Sequence, residues 1–527
     1  VEQGGRVRDR LRDGVEVALA TIGNGLLSHP ANRELRDLVR SGELKPETFY
    51  QNLLRLVYRL LFLMVAEERS LISPSAVYLE HYSLERLRRL ADLRLPEEDH
   101  QDLWISLQAT FELFRKEELG SLLAVPPLNG ELFLGTELDR CSLCNRDLLT
   151  ALRELSTYAE DAHSPRRRVN YSALDVEELG SVYESLLEYH PAFVEQEGKA
   201  VFRLVYGTER KTTGSYYTPP ELVSELIKSA LEPVLVARLE KAKKDEDREQ
   251  AILSIKVCDP ACGSGHFLLA AARRLGKELA RVRTGDDEPA PEQVRAAIRD
   301  VISHCIYGVD KNPLAVDLCK VALWIEGHSE GRPLSFLDHR IRMGDSLVGV
   351  FDLKVLEGGI PDDAFNPVSG DDKTLAKSIK KDNKAERTER AGWLSMEFEA
   401  ASNVPDLSEA YRKLSEIADD TPEQVRKKQE AYERLRGEGG RWWRDNTACH
   451  LWTAAFFANL DKESYREKAV PTTEIMRTYL QTGNIDGRYI GHAWEMAQRF
   501  RFFHWPLEFP EVFEAGGFDV VLCNPPW

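Results

Sequence analysis

The sequence predicts an α/β protein whose parallel sheet is incomplete at its C-terminal end, preceded by a helical front region and interrupted by a long helical insertion. Three observations predict it. Up to about Tyr206 apolar residues recur at three- and four-residue spacing. From residue 255 to 343 short β-rich runs alternate with helices, the pattern of crossovers and a parallel sheet. After Phe351 the strand signal disappears and resumes only at residues 518–522.

The front region, 1–205, carries helical periodicity at 49–65 and again at 176–187, where Ser172 or Asp175 would cap the helix and Glu177 and Glu178 fill its first turn. Pro219 and Pro220 open a helix from 221 to about 244, which closes in a charged linker at 241–250. Within 206–350 the strands are expected at 255–258, 306–309 and 340–343, with helices at 267–282, 291–303 and 313–327. The insertion, 351–503, reads as a polar stretch (362–390) followed by charged helices over 407–436, one of them starting at Thr421-Pro422-Glu423 and ending in the glycines of 437–440. Residues 504–527 return to the sheet.

A chain of 527 residues with 43% hydrophobic and 30% charged content is a globular protein of two or three domains. Its net charge of −17 argues against coating nucleic acid indiscriminately, although a local basic groove remains compatible with it. Arg55 and Arg59 interrupt the richest apolar stretch, 53–66, which therefore reads as a buried helix and not a membrane span. The opening Val1-Glu2-Gln3 lacks a signal-peptide core and a methionine, so we expect cytoplasmic residence and a start inside a longer product or after a tag. The eight cysteines are scattered, which fits reduced thiols. Cys141-Ser142-Leu143-Cys144 lacks a second ligand pair, and no metal site is expected. Glu43-Leu44-Lys45 has a metal-nuclease spacing but reads as a helix start. The basic runs Arg166-Arg167-Arg168 and 377–384 could meet phosphates but read first as solvated charge. Trp442, Trp443, Trp452, Phe456 and Phe457 read as residues that bind the insertion to the core.

Chemistry concentrates at the ends of the expected strands. Asp259-Pro260-Ala261-Cys262-Gly263-Ser264-Gly265 lies where a strand hands over to a helix, so its glycines let the backbone approach a ligand beside the open N–H groups of the helix start. The second strand ends in Gly308-Val309-Asp310, a carboxylate suited to the two hydroxyls of a ribose or, more plainly, to capping the helix at Pro313. The third is followed by Gly344-Asp345-Ser346-Leu347, typed to receive an adenine amino group. After the last strand come Asn524-Pro525-Pro526-Trp527. The Asn524 Oδ1 and the Pro525 carbonyl could take both N–H donors of an exocyclic amine, turning its lone pair toward a sulfonium methyl, while Trp527 stacks on a base extruded from a duplex.

Together with Gly214-Ser215-Tyr216-Tyr217-Thr218-Pro219-Pro220, these motifs occur in the order of the amino-terminal half of gamma-type N6-adenine DNA methyltransferases. More narrowly the sequence resembles the large adenine methylases of restriction and phage-defence systems, including fused restriction enzymes and the BREX and DISARM types. The resemblance covers Lys211 to Ser346 and Phe502 to Trp527, and is softer over the front, where Leu179-Gly180-Ser181-Val182-Tyr183-Glu184 looks family-like. It implies a Rossmann-like sheet of the S-adenosylmethionine-dependent methyltransferases and a site-specific methyl transfer to the exocyclic amine of adenine in double-stranded DNA. By the same resemblance Tyr217, Thr218 and Pro219 touch the methionine part of S-adenosylmethionine. Asp259, Ala261, Gly263 and Gly265 form its main loop, Asp310 holds the ribose, Asp345 and Leu347 the adenine, and Asn524, Pro525, Pro526 and Trp527 carry catalysis.

Cys523 departs from the glycine usual at that position. No later strands or target-recognition region follow, so we expect the natural protein to continue beyond Trp527 or a partner subunit to complete the sheet, with 518–527 frayed otherwise. A protein or RNA N-methyltransferase, and a non-catalytic cofactor- or DNA-binding scaffold of a defence complex, are the rival readings.

Overall fold

The computed structural model describes residues 2–93, 100–125, 131–133, 135–159, 164–173, 189–206, 218–242, 244–328, 332–333, 335–389 and 404–524, with the isolated positions 178, 180 and 186. The expected helix at 176–187 therefore falls largely outside the described residues.

The front is built on the helices Glu2–Ser28, Pro46–Glu68, Asp102–Arg115 and Asn145–Ser156. Pro46–Glu68 is long and apolar enough to cross a membrane by length and composition, yet it forms the middle of this core. The two arginines that break its apolar run are paired: Arg59 Nη1 donates to Asp139 Oδ1 at 2.7 Å, and Arg55 lies 3.8 Å from Asp317. Lys45 is the cap of this helix, as read for the Glu43-Leu44-Lys45 segment.

The all-helical reading of 1–205 needs correcting. Strands β1 (Thr157–Tyr158) and β2 (Arg167–Arg168) pair, and β3 (Tyr189–Gln196) forms an antiparallel hairpin with β4 (Lys199–Tyr206). Glu197 and Gly198, at φ 52° and 71°, make the two-residue turn whose twist suits a hairpin. The hairpin is held by an aromatic cluster, with Phe49 centred 5.4 Å from Phe193 and 5.3 Å from Phe202. Apolar packing runs without a break from this front into the helices of the sheet region, so no gap in the core marks residue 205.

The sheet has four parallel strands in the order β7-β6-β5-β8: β5 (Val257–Asp259), β6 (Ile306–Asp310), β7 (Ile341–Met343) and β8 (Val520–Val521). Each falls within one or two residues of its sequence expectation. The crossover helices His266–Thr284, Pro291–Cys305 and Pro313–Glu326 agree equally well. The charged linker does not: 245–253 is helical.

The insertion has its own apolar core, and Thr421 caps the helix Pro422–Arg436 as expected, its Oγ1 accepting from Gln424 N. The polar stretch 362–390 contains a full helix, Lys373–Glu389. The insertion is pinned to the sheet by a buried carboxylate. Glu508 accepts from Arg342 Nε (2.9 Å) and from Arg436 Nη1 and Nη2 (2.8 and 3.0 Å), and these guanidiniums hold its carboxyl down at about 2 against the desolvation of burial. Trp442 donates to Leu507 O, in keeping with an anchoring role.

A buried imidazole pair adds a pH-sensitive contact. Val350 N donates to His504 Nδ1 (3.0 Å), which places the ring proton on Nε2, facing His450 Nδ1 at 2.8 Å. Burial pushes His504 down to about 3 and His450 well below its ordinary value. The unfolded rings take up protons near pH 6.5 while the folded ones do not, so this contribution to stability is complete above pH 6.5 and is lost as pH falls toward about 3. Scanning calorimetry between pH 7 and pH 5 is expected to show a falling Tm, a fall that His504→Asn flattens.

Candidate active site

Four parallel strands bring the residues at their carboxyl ends to one edge. Asp259 closes β5, Asp310 closes β6, Asp345 follows β7 and Asn524 follows β8. Strand order reverses about β5, since the chain steps outward through β6 and β7 and returns on the other side at β8; such switch points leave a crevice outside the strand ends.

The glycine loop is braced from β6. Cys262 N donates to Val309 O (2.9 Å), and Gly263 N donates to Asp310 Oδ2 (2.9 Å). Gly263 and Gly265 have φ of 51° and 91°, a region that disfavours side chains. A Cβ at Gly265 would sit 2.8 Å from Cys319 Sγ, so the loop also needs the missing side chain for space. Gly265 is the cap of the helix His266–Thr284 and offers it no side chain, which leaves the amino end open for an anion or a dipole.

Two carboxyls meet at this loop, Asp259 fully buried at the end of β5 and Asp310 half-buried at the end of β6. Burial drives Asp259 up to about 8, assisted by the charge of Asp310 and opposed by the N–H of Ala261, which donates to Asp259 Oδ1 at 3.0 Å. Burial also raises Asp310, although its oxygens accept from Gly263 N and from Asn312 N. The capping alternative for Asp310 is answered by the neighbouring residue: Asn312 caps the helix Pro313–Glu326, accepting from Leu314 N. Asp345 accepts from Leu347 N (3.1 Å) and pairs with Lys311 Nζ (2.8 Å), leaving Leu347 82% exposed at the rim.

Asn524 joins the same edge. Its Nδ2 donates to Thr218 Oγ1 at 3.2 Å, and among the described residues no donor reaches its Oδ1. Pro219 is exposed and caps the helix Pro220–Leu226. Tyr217, Pro525, Pro526 and Trp527 lie outside the described residues. Cys523 is partly buried, and burial followed by the Asp259 charge raises its thiol.

Reasoning from sequence missed three supports. Lys311, adjacent to Asp310 in the chain, neutralises Asp345. Gly180 touches the loop from behind, its hypothetical Cβ within 2.7 Å of the Ser264 Cβ. Asp519 clamps β8, with Oδ2 accepting from Lys256 N (2.9 Å) and Oδ1 from Arg238. The first was legible as a charge in the motif; the others are contacts between distant segments.

Residues 175–348 match the family model described as N-6 DNA Methylase, and residues 304–527 match that of the Eco57I restriction-modification methylase. These segments are similar to N6-adenine DNA methylases of restriction systems. The chain is similar to a putative type II restriction enzyme and methyltransferase of Methanocaldococcus jannaschii, RM.MjaORFECS2P, with 23% identity over 66% of this chain and 30% of the relative. The adenine-specific methyltransferase PglX of Streptomyces coelicolor is 34% identical over 22% of this chain and 8% of its own length. RM.Eco57I of Escherichia coli, a type II restriction enzyme and methyltransferase, is 26% identical over 36% of this chain and 19% of its own length. A solved structure of the type IIL restriction-modification enzyme MmeI in complex with DNA aligns at 20% identity and a TM-score of 0.36, covering 59% of this chain and 35% of that one. The chain spans about a third or less of the length of each of these relatives.

Gly265→Ala in the glycine loop is expected to cost about 1–3 kcal/mol through backbone strain, read as a lower midpoint in urea. Adding Cys319→Ala relieves the contact but not the strain, so recovery should be partial.

Proposed function

We propose that this chain carries the cofactor-binding and catalytic part of a site-specific methyltransferase acting on the exocyclic amine of adenine in double-stranded DNA, within a restriction or phage-defence system. The observation that carries this reading is the orientation of Asn524: with its Nδ2 turned to Thr218, its Oδ1 is the acceptor left for a substrate amine at the edge shared with Asp259, Asp310 and Asp345.

The residues present fit S-adenosylmethionine. Burial raises both the Asp259 and Asp310 carboxyls, and among the described residues no cation pairs with either, so a ligand with cationic sulfonium and ammonium groups would favour their ionised forms. Leu347, exposed beside Asp345, offers an apolar face to a purine. Bound S-adenosylmethionine supplies an electrophilic methyl group. The chain's own work is to orient and to polarise. Asp310 would hold the ribose, and Asp345 the adenine amino group. Asn524 Oδ1 and the Pro525 carbonyl would accept the two N–H donors of the target amine, localising its lone pair, with Trp527 stacking on the extruded base. Thr218 is a positioning residue, keeping the Asn524 amide turned the right way.

Tritiated methyl transfer to unmodified genomic DNA tests the reading in the full-length protein. Asn524→Ala is expected to retain cofactor binding and lower transfer by roughly a hundredfold or more. Thr218→Val should lower kcat more than it changes KM for the cofactor, and Thr218→Ser should restore it. Asp310→Ala should weaken cofactor binding; undiminished affinity by calorimetry would overturn the ribose assignment.

The raised Asp259 adds a pH signature. Below about pH 8 the empty site holds this carboxyl protonated, and a cationic ligand favours its ionised form. Binding at pH 7 should therefore release up to about one proton, and affinity should rise with pH until about 8. Titration calorimetry in buffers of different ionisation enthalpy measures the release, which Asp259→Asn should abolish.

A further inference from the structure

The helix Lys373–Glu389 concentrates lysines along one side. Lys373, Lys377, Lys381 and Lys384 are all exposed, and at 3.6 residues per turn they fall within an arc of about 80°. Other surface cations have an acid one turn away, as in Arg33 with Asp37 and Lys413 with Glu409. Even the arginine run is paired, Arg166 with Glu154 and Arg168 with Glu85 and Asp92. Among the described residues none of the four ammonium groups has a hydrogen bond or an ion pair. Like charges one turn apart weaken a helix, so nothing in the folding of this segment accounts for them.

The helix is held rigidly from its other face. Ala376 and Ile379 are buried, and the Asn383 amide is fully engaged, with Nδ2 donating to Ile360 O (2.8 Å) and Oδ1 accepting from Thr473 N and Oγ1 (2.9 and 2.8 Å). The insertion that carries it leaves the sheet directly after Asp345 and rejoins it at Phe502, which pairs with Asp345 in parallel. A cationic stripe is thus mounted on a body rooted at the active edge.

We infer that this stripe is a docking surface for the phosphodiester backbone of duplex DNA, sequence-independent and separate from the base-reading contacts. The inference rests on the methylase reading for its choice of nucleic acid. From Lys373 to Lys384 the stripe runs about 16 Å, the axial span of roughly five phosphates on one strand. On a chain with net charge −17, DNA has to meet a locally cationic face. Lysine suits this use, as a point charge on a flexible stem that follows phosphates without reading bases.

Binding of the full-length protein to a fluorescent duplex, measured by anisotropy over a sodium chloride series, tests the inference. The variant carries Lys373→Gln, Lys377→Gln, Lys381→Gln and Lys384→Gln. Glutamine preserves helix propensity, and circular dichroism and Tm check the fold. A control with Lys241→Gln, Lys244→Gln, Lys354→Gln and Lys427→Gln changes net charge equally. We expect the stripe variant to lose roughly tenfold or more in affinity and its salt slope to become shallower by about 0.9 per lost contact, with the double variant Lys377→Gln, Lys381→Gln showing about half the slope change. Equal behaviour of stripe variant and control overturns the inference. So does unchanged DNA binding alongside lysine-dependent binding of polyglutamate, which would assign the stripe to an acidic polypeptide. Methyl transfer measured in parallel separates the two readings: transfer with lysine-independent DNA binding sinks the stripe alone, and lysine-dependent binding without transfer sinks the methylase reading alone.

Discussion

The parallel pairing of β8 with β5 is the constraint on which the site depends. Parallel neighbours place their carboxyl ends side by side, so this register alone carries Asn524 to the edge that Asp259 occupies, with Leu522 N donating to Cys258 O at 2.9 Å. β8 itself is short, and the register is enforced at its start. Asp519 takes the N–H of Lys256 on one oxygen and the guanidinium of Arg238 on the other. A slip of one residue would turn Asn524 to the opposite face of the sheet and separate it from Thr218.

The same edge stores an electrostatic cost. Asp259 lies fully buried beside the half-buried Asp310, and the N–H groups of Ala261, Gly263 and Asn312 only partly offset the desolvation. A purely structural loop would be better served by neutral side chains. On the proposed function, a cationic ligand would stabilise these carboxyls, and the site would be least stable without it. Asp345, nearer solvent, already has Lys311 and shows what a carboxylate at this edge looks like when its counter-ion is built in.

The strands and their terminal acids were legible because a parallel sheet is buried on both faces, so Ile306 to Val309 reads as an unbroken apolar run ending in Asp310. The hairpin was not, because β3 carries Pro191 and turns half-exposed residues to both sides, which blurs the alternation; only Glu197-Gly198 signalled the turn. The helix Lys373–Glu389 was hidden for another reason. Its inner face is Ala376, Ile379 and Asn383, narrow and partly polar, so its burial rests on an amide's hydrogen bonds that no hydropathy pattern records. The Thr218–Asn524 contact joins segments from opposite ends of the sheet region, and its partners could be named from sequence only as members of separate motifs.

Orientation of the insertion follows from charge and not from apolar packing alone. Its core is separate from that of the sheet, which by itself would permit it to pivot. Glu508 removes that freedom: it belongs to the returning chain, yet one guanidinium comes from β7 and the other from the end of the helix Pro422–Arg436. A buried carboxylate with two guanidiniums is intolerant of displacement, because moving either partner strands a charge in a dry environment. Arg436 is further held 3.5 Å over the Trp442 ring. The insertion therefore turns with β7 as one body, and any surface it presents keeps a fixed relation to Asp345 and the strand ends. If the site receives a base drawn out of a duplex, as proposed, that rigidity means backbone contacts made on the insertion would also determine where the base is delivered.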